Sequence, residues 1–229
     1  MASDDCTCRR KYATLLRRAV LTLLVSAALV TLCYFLCDRP VAYYMHDRHF
    51  DRFAVLLWLT YIPMAFDAIA PIILVLAAMK LTWASWTRFD RTLIAASVSI
   101  MIGVGFEYYL KFLFGRYWPE TWVDHNPSLI GDGAYGFHPF HGGSDYGSFP
   151  SGHTARTFAV LSVIAGAYPA WRWPCFAVCG LVIVGLIGMN YHFVGDTIGG
   201  AALGTLTAMY AFYLFQLDRH RQLNDGMET

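Results

Sequence analysis

The chain has 229 residues, of which 57% are hydrophobic and 14% are charged. Such an apolar composition excludes a soluble globular domain of this length and indicates a protein that crosses a membrane several times. The formal net charge of +1 offers no broad basic surface for nucleic acid, so no nucleic-acid partner is predicted.

Six apolar stretches predict six membrane-spanning helices and therefore an all-α integral membrane protein. The first stretch, 19–36, is too long for the apolar part of a cleaved signal peptide, and we predict that it is a retained span. Residues 41–62 mix charges with aromatic rings, which predicts a segment at the membrane surface. The other spans are predicted at 63–86, 92–114, 154–168, 175–189 and 194–215.

Lysine and arginine are concentrated in the segments 1–18 and 80–91, at Arg172 and in the C-terminal tail. Six crossings would place all of these on one side of the membrane, which the positive-inside rule identifies as the cytoplasm. We therefore expect a single domain, 1–229, in the cell (inner) membrane, with the N-terminal segment 1–18 and the C-terminus both cytoplasmic. The glycine-rich loop 115–150 and the active site would then be extracytoplasmic.

The stretch Pro150-Ser151-Gly152-His153 begins the fourth predicted span. A helix start exposes unpaired N–H groups, which Ser151 can cap, and Gly152 lets an anion approach the backbone closely. His153 adds a titratable proton at the same place. Taken alone, the stretch fits an ordinary capped helix equally well.

His192 and Asp196 are four residues apart and share one helix face. A carboxylate in that position can bind one imidazole nitrogen and leave the other as a lone pair, which makes the histidine a better nucleophile or base. The alternative for this pair alone is an ion pair that stabilises a helix end.

The end of the third predicted span carries Glu107 and Lys111, which lie on one helix face and are expected to pair. Arg116 and Pro119 follow at the start of the loop. In the six-span topology, all of these residues lie on the same side of the membrane as His153 and His192.

This combination resembles the type 2 phosphatidic acid phosphatase superfamily, whose pattern is K-x6-R-P, then P-S-G-H, then S-R-x5-H-x3-D. The resemblance covers about residues 105–200. The second motif, 150–153, matches in full, and so does the His192-x3-Asp196 part of the third. Lys111 and Pro119 match the ends of the first motif.

Two positions depart from the family pattern, and both concern phosphate binding. Trp118 stands where the family has the arginine of the first motif, and Leu186, preceded by Gly185, stands where it has serine and arginine. Two guanidinium groups that would hold a phosphate are therefore missing. Arg116, which belongs to a Gly-Arg-x-Arg-Pro form common in the family, is retained.

The resemblance implies a hydrolase that needs neither a metal nor a cofactor. His192 would attack phosphorus, His153 would protonate the leaving oxygen, and Asp196 would orient His192. The phosphate would be bound by residues at the first two motifs, namely Lys111, Arg116, Ser151 and Gly152.

Arg156 is expected to replace part of the missing arginine function. It lies three residues after His153, so it shares the histidine's helix face, and its side chain leans toward the helix start where the phosphate would bind. The alternative is an arginine that extends along the helix to the membrane surface.

The implied substrate is a lipid phosphomonoester or pyrophosphate, with membrane lipids as the other partners. Phosphatidate, phosphatidylglycerol phosphate, polyprenyl phosphates and lipid A phosphates all fit. A lipid-to-lipid phosphotransferase and a catalytically weak, lipid-binding pseudo-phosphatase are the alternatives. A third hypothesis, a metalloenzyme, would use loop residues as ligands: Asp124, His125, His138, His141 and Asp145.

Overall fold

The computed structural model describes residues 2–80, 85–122 and 125–225, with side chains over 9–80, 85–122 and 125–215. This part of the chain contains no β-strand, only isolated bridges in the loop after α5. Single 3₁₀ turns occupy Phe50–Arg52, Ser144–Tyr146 and Pro169–Trp171. The α-helices, numbered α1 to α9, are Ala2–Leu36, Asp38–Asp47, Ala54–Thr60, Ile62–Lys80, Arg88–Phe114, Leu129–Asp132, Gly152–Ala167, Arg172–Gly188 and Val194–Asp225.

Within the described residues, five helical segments are long and apolar enough to cross a membrane. They are Arg9–Leu36, Ala54–Lys80, Arg88–Phe114, Pro169–Gly188 and Val194–Phe215. The predicted fourth span corresponds to α7, which has 16 residues and is shorter than these five. An all-helical, multi-pass fold is therefore confirmed, and the count of six crossings stays a prediction.

The prediction that all of 41–62 lies at the membrane surface is wrong for its second half. No charged residue occurs between Arg52 and Asp67, and this apolar stretch forms α3, which is followed by α4 after the single residue Tyr61. The segment that is long and apolar enough to be the second span therefore begins at Ala54 instead of Pro63. Part of its predicted end, 81–84, lies outside the described residues.

Helix α7 lies in the middle of the bundle, where it contacts α4, α5, α8 and α9. Its neighbour α9 approaches closely because it presents glycines: a Cβ at Gly200 would overlap the carbonyl oxygen of Ser151, and one at Gly204 would overlap that of Ala155. The small-residue pattern of the last span therefore serves close helix packing, as predicted.

Aromatic side chains mark both ends of the bundle. Trp171 and Trp173 are 62% and 78% exposed beside the start of α8, whereas Tyr108 and Tyr109 are 73% and 77% exposed near the end of α5. Tryptophan and tyrosine concentrate at the two membrane surfaces. The two groups therefore agree with a bundle that spans a bilayer.

We predict that Gly200→Ala destabilises the protein by about 1–3 kcal/mol, because the added methyl group overpacks the contact between α7 and α9. Gly180→Ala on α8 is the matched control, since a Cβ there meets no atom within 4 Å. Thermal unfolding of the detergent-solubilised variants measures the difference. Equal stability of the two variants would contradict the packing argument.

Candidate active site

Ser151 caps α7 and joins it to α9. Its Oγ accepts hydrogen bonds from the Thr154 N–H at 3.4 Å and from Thr154 Oγ1 at 3.1 Å. Its own N–H donates to the carbonyl oxygen of Asp196 at 3.0 Å. The predicted helix start is therefore confirmed, and the fully buried Ser151 side chain fixes the beginning of α7 against the beginning of α9.

Gly152 leaves room for an ion pair. A Cβ at this position would overlap the Glu107 carboxylate and the Arg156 guanidinium. The space that the sequence assigned to an approaching phosphate is filled by these two side chains in the structure.

The three residues predicted to be catalytic lie together where α7 and α9 begin. The rings of His153 and His192 are 6.2 Å apart between centroids, at an angle of 61°. His192 Nδ1 is 3.6 Å from Asp196 Oδ2, which is too long for a hydrogen bond. Arg156 lies close by, because a Cβ at Gly152 would overlap its guanidinium, and it shares the Glu107 carboxylate with Lys111. The structure thus brings both histidines, the aspartate and two cations into one region.

Trp118 occupies the space beside His192. Its ring centroid is 5.3 Å from that of His192, and its indole N–H donates to the carbonyl oxygen of Ser144 at 2.7 Å. His192 is only 4% exposed. The residue that replaces the family arginine therefore covers the candidate nucleophile with an apolar ring.

Arg116 is fully buried and bridges two carboxylates. One of its terminal nitrogens is 2.5 Å from Asp196 Oδ1, and the other is 2.6 Å from Asp38 Oδ2. Asp196 presents its second oxygen to His192, so Arg116 lies behind the candidate catalytic pair. This placement does not support the predicted phosphate contact, because both terminal nitrogens are already paired inside the protein.

Asp38, the first residue of α2, is a site residue that the sequence analysis missed. It is 1% exposed, and its Oδ1 accepts from the Gly195 N–H at 2.9 Å. Burial raises the pKa of Asp38, and Arg116 and the Gly195 N–H oppose that effect. Burial disfavours the Arg116 cation, but Asp196 and Asp38 outweigh it and raise the pKa of Arg116 above its ordinary value. Arg116 therefore stays charged.

Asp196 is held by further donors. Its Oδ2 accepts from Ser148 Oγ at 2.6 Å and from the Phe193 N–H at 2.9 Å. The rings of Phe137 and Phe193 also lie 4.8 and 4.4 Å from the Arg116 guanidinium. The carboxylate behind His192 is consequently fixed by groups from the loop and from the start of α9.

A second ionic network lies around Glu107. Lys111 Nζ is 2.7 Å from Glu107 Oε1, which confirms the predicted pair. Arg156 is 3.0 Å from Glu107 Oε2 and 2.7 Å from Asp67 Oδ2. Arg156 thus reaches the expected region, but it is paired there with carboxylates from α5 and α4. Two cations and two carboxylates balance one another in this cluster.

The two positions that depart from the third family motif, Gly185 and Leu186, lie where helix α8 packs against the rest of the bundle. A Cβ at Gly185 would come within 2.7 Å of Leu59 Cβ and 2.9 Å of the Leu56 carbonyl oxygen, both on α3. Leu186 is fully buried. The chain uses these two positions to pack α8, so a polar serine–arginine pair is replaced by a tight apolar contact.

Of the loop residues proposed as metal ligands, His138 and His141 take part in aromatic packing. The His138 ring is 4.5 Å from that of Tyr117 and 5.5 Å from that of Tyr146, and the His141 ring is 5.2 Å from that of Tyr146. Asp124 lies outside the described residues. Within the described ones, no three His, Cys, Asp or Glu side chains are grouped so that they could hold a metal ion.

Comparisons with known proteins give a consistent match. A family model described as "PAP2 superfamily" matches residues 92–220. A lipid A 1-phosphatase from Rhizobium johnstonii is 29% identical over 107 residues, which are 46% of this chain and 41% of that protein. A lipid A 1-phosphatase from Porphyromonas gingivalis is 30% identical over 95 residues, 39% of this chain and 21% of that protein. The matches therefore span less than half of each relative.

A solved structure is also similar. The crystal structure of the transmembrane PAP2 type phosphatidylglycerolphosphate phosphatase from Bacillus subtilis aligns with 89% of this chain and 96% of that chain. The TM-score is 0.41 and the sequence identity is 17%.

We predict that Arg116→Gln lowers the free energy of unfolding by about 3–5 kcal/mol, because it leaves two buried carboxylates without their cation. Lys80→Gln is the matched control: the Lys80–Asp90 pair has an N–O distance of 2.6 Å but is partly exposed, so its loss should cost about 0–1 kcal/mol. Denaturant or thermal unfolding in detergent compares them. Similar losses in the two variants would show that Arg116 does not hold the site together.

Proposed function

The chain belongs to the PAP2 superfamily, and on that premise we propose that it is a membrane-bound phosphatase that hydrolyses a phosphate ester of a lipid. The observation that carries the proposal is the pair of histidines, His153 and His192, whose ring centroids are 6.2 Å apart with Asp196 behind the second. Two neighbouring imidazoles can divide the work of nucleophile and acid between them.

In the proposed reaction, His192 Nε2 attacks phosphorus, since Nδ1 faces Asp196. The bond between phosphorus and the lipid oxygen breaks, and protonated His153 gives its proton to that oxygen. A water molecule then attacks the phosphohistidine, His153 takes its proton, and inorganic phosphate leaves with His192 restored. Each bond formed and broken is assigned to residues of this chain and water, so the mechanism calls for no metal ion.

The buried charges favour the covalent step. When Asp38 and Asp196 are both ionised, their two negative charges exceed the single positive charge of Arg116 by one, beside His192. Positive charge develops on an imidazole as it bonds to phosphorus. Fixed charges stabilise such a developing charge most strongly in a site from which water is excluded.

Lys111 and Arg156 are the cations available to the phosphate, supported by the start of α7 at Ser151 and Gly152. Both pair with the Glu107 carboxylate. An arriving phosphate competes with Glu107 for these cations, so its binding energy is reduced by the pairs that it replaces. Glu107 thus positions the cations at some cost in phosphate affinity.

An apolar groove beside the second motif supports a lipid substrate. It has a volume of about 400 Å³ and lies between α1, α5 and α9, with Phe149 and Pro150 in its wall. A groove of this kind can accept an acyl chain while the phosphate reaches His153. The relatives named lipid A 1-phosphatases make the 1-phosphate of lipid A one of the first monoesters to test.

We further propose cytoplasmic termini and an extracytoplasmic site in the cell membrane.

A pseudo-phosphatase is the second candidate function. It is favoured by the position of the Trp118 ring, which covers His192. In that case the chain would bind a phosphorylated lipid without hydrolysing it, because the nucleophile is shielded and the first-motif arginine is missing. The phosphotransferase alternative would use the same chemistry with a second lipid in place of water.

We predict that His192→Gln and His153→Ala each lower the rate of phosphate release from lipid phosphates, the second by about 10²–10⁴-fold as expected for loss of a general acid. His141→Ala, a change in an exposed loop histidine, is the control and should keep the wild-type rate. EDTA should have no effect. Unchanged release by His192→Gln, with the fold verified by gel filtration, would exclude this mechanism.

We also predict that Trp118→Arg raises kcat/KM about 10-fold or more, because a charge-assisted contact to phosphate contributes about 1.5–3 kcal/mol. The assay is phosphate release from the same lipid panel, with Trp118→Phe as the variant that keeps an aromatic cover. A wild-type protein with no turnover beside an active Trp118→Arg variant would establish the pseudo-phosphatase. Equal activity of all three would show that Trp118 does not limit phosphate binding.

A further inference from the structure

A cleft of about 620 Å³ lies at the end of the bundle opposite the histidines. It is formed where α1 begins and where α7 and the membrane-spanning part of α9 end. Its rim carries three basic residues of α1, Arg10, Lys11 and Arg18, and its floor includes Ser162 and Gly166 of α7 and Phe212 of α9.

The rim is positively charged and the floor is largely apolar. Among the described side chains, no acidic residue lines the cleft, and neither Arg10 nor Arg18 has an ion-pair partner. Eight residues separate these two arginines, which is about 12 Å along a helix. The cleft thus offers a column of positive charge above an apolar base.

The depth of the cleft relative to the membrane indicates what kind of molecule can bind in it. Arg18 is the last charged residue before the uncharged run 19–36, so the basic rim lies at the boundary between the membrane surface and the hydrocarbon. A molecule that fits must carry negative charge at that depth and apolar chains just below it. Both requirements are met by an anionic phospholipid, and basic clefts between membrane helices are suited to such headgroups.

We propose that this cleft binds the headgroup of an anionic phospholipid. The cleft is a binding site separate from the proposed catalytic site. The lipid headgroup would lie between Arg10 and Arg18, and an acyl chain would lie against Phe212. His153 and Gly166 are thirteen residues apart on α7, or about 20 Å, so a lipid in this cleft does not touch the histidines. The inference does not depend on the proposed hydrolytic activity.

The test uses the full-length protein in a neutral detergent and counts bound lipids by native mass spectrometry. The probes are dioleoyl phosphatidylglycerol and, as the uncharged comparison, dioleoyl phosphatidylcholine. Arg10→Gln/Arg18→Gln removes two charges from the rim. Arg17→Gln is the matched control, because Arg17 lies on the same helix and is exposed but does not line the cleft. Ser162→Phe fills the floor without changing any charge.

We expect the wild-type protein to prefer phosphatidylglycerol, and the double variant to bind it about 25-fold more weakly, at about fivefold per basic residue. Ser162→Phe should also weaken binding, whereas Arg17→Gln should match the wild type. Equal binding of both lipids would overturn the proposal. So would an unchanged double variant, or a loss of about fivefold with Arg17→Gln, the loss expected per basic residue, which would indicate general surface charge instead of a site.

Discussion

The buried guanidinium of Arg116 is the contact on which the rest of the site depends. It joins Asp38 at the start of α2 to Asp196 at the start of α9, and its own backbone N–H donates to Tyr146 in the loop. Three segments far apart in sequence are thus fixed to one group. Because unpaired buried carboxylates are costly, any movement of α2 or α9 that breaks these pairs is opposed by several kcal/mol. Because Asp196 faces His192, this arrangement also helps to fix the position of His192.

The two ionic networks have different effects on catalysis. The first, around Arg116, lies behind His192 and leaves an excess negative charge that supports a cationic imidazole. The second, around Glu107, lies beside His153 and neutralises the cations that would meet the phosphate. In the proposed mechanism, the site is therefore better prepared to form a bond at His192 than to bind an anion. The substitution of Trp118 for arginine has the same consequence.

Local features of the chain were predictable because they depend on neighbouring residues. The helix start at Ser151, the Glu107–Lys111 pair and the close packing at Gly200 all follow from spacing along one or two helices. The role of Arg116 was not predictable, since its partner Asp38 lies 78 residues away. The use of Gly152 to admit Glu107 and Arg156 likewise needs the packing of α5 against α7. An aspartate two residues after the uncharged run 19–36 was the signal in the sequence that could have identified Asp38.

Trapping of the covalent intermediate tests the central claim most directly. The protein would be mixed with a lipid whose monoester phosphate is radiolabelled, quenched in alkali, where phosphohistidine survives, and digested for mapping of the label. The account predicts one labelled peptide, with phosphate on His192, and no label in the His192→Gln variant. Turnover of the lipid with no label on His192, or with label on another residue, would contradict it.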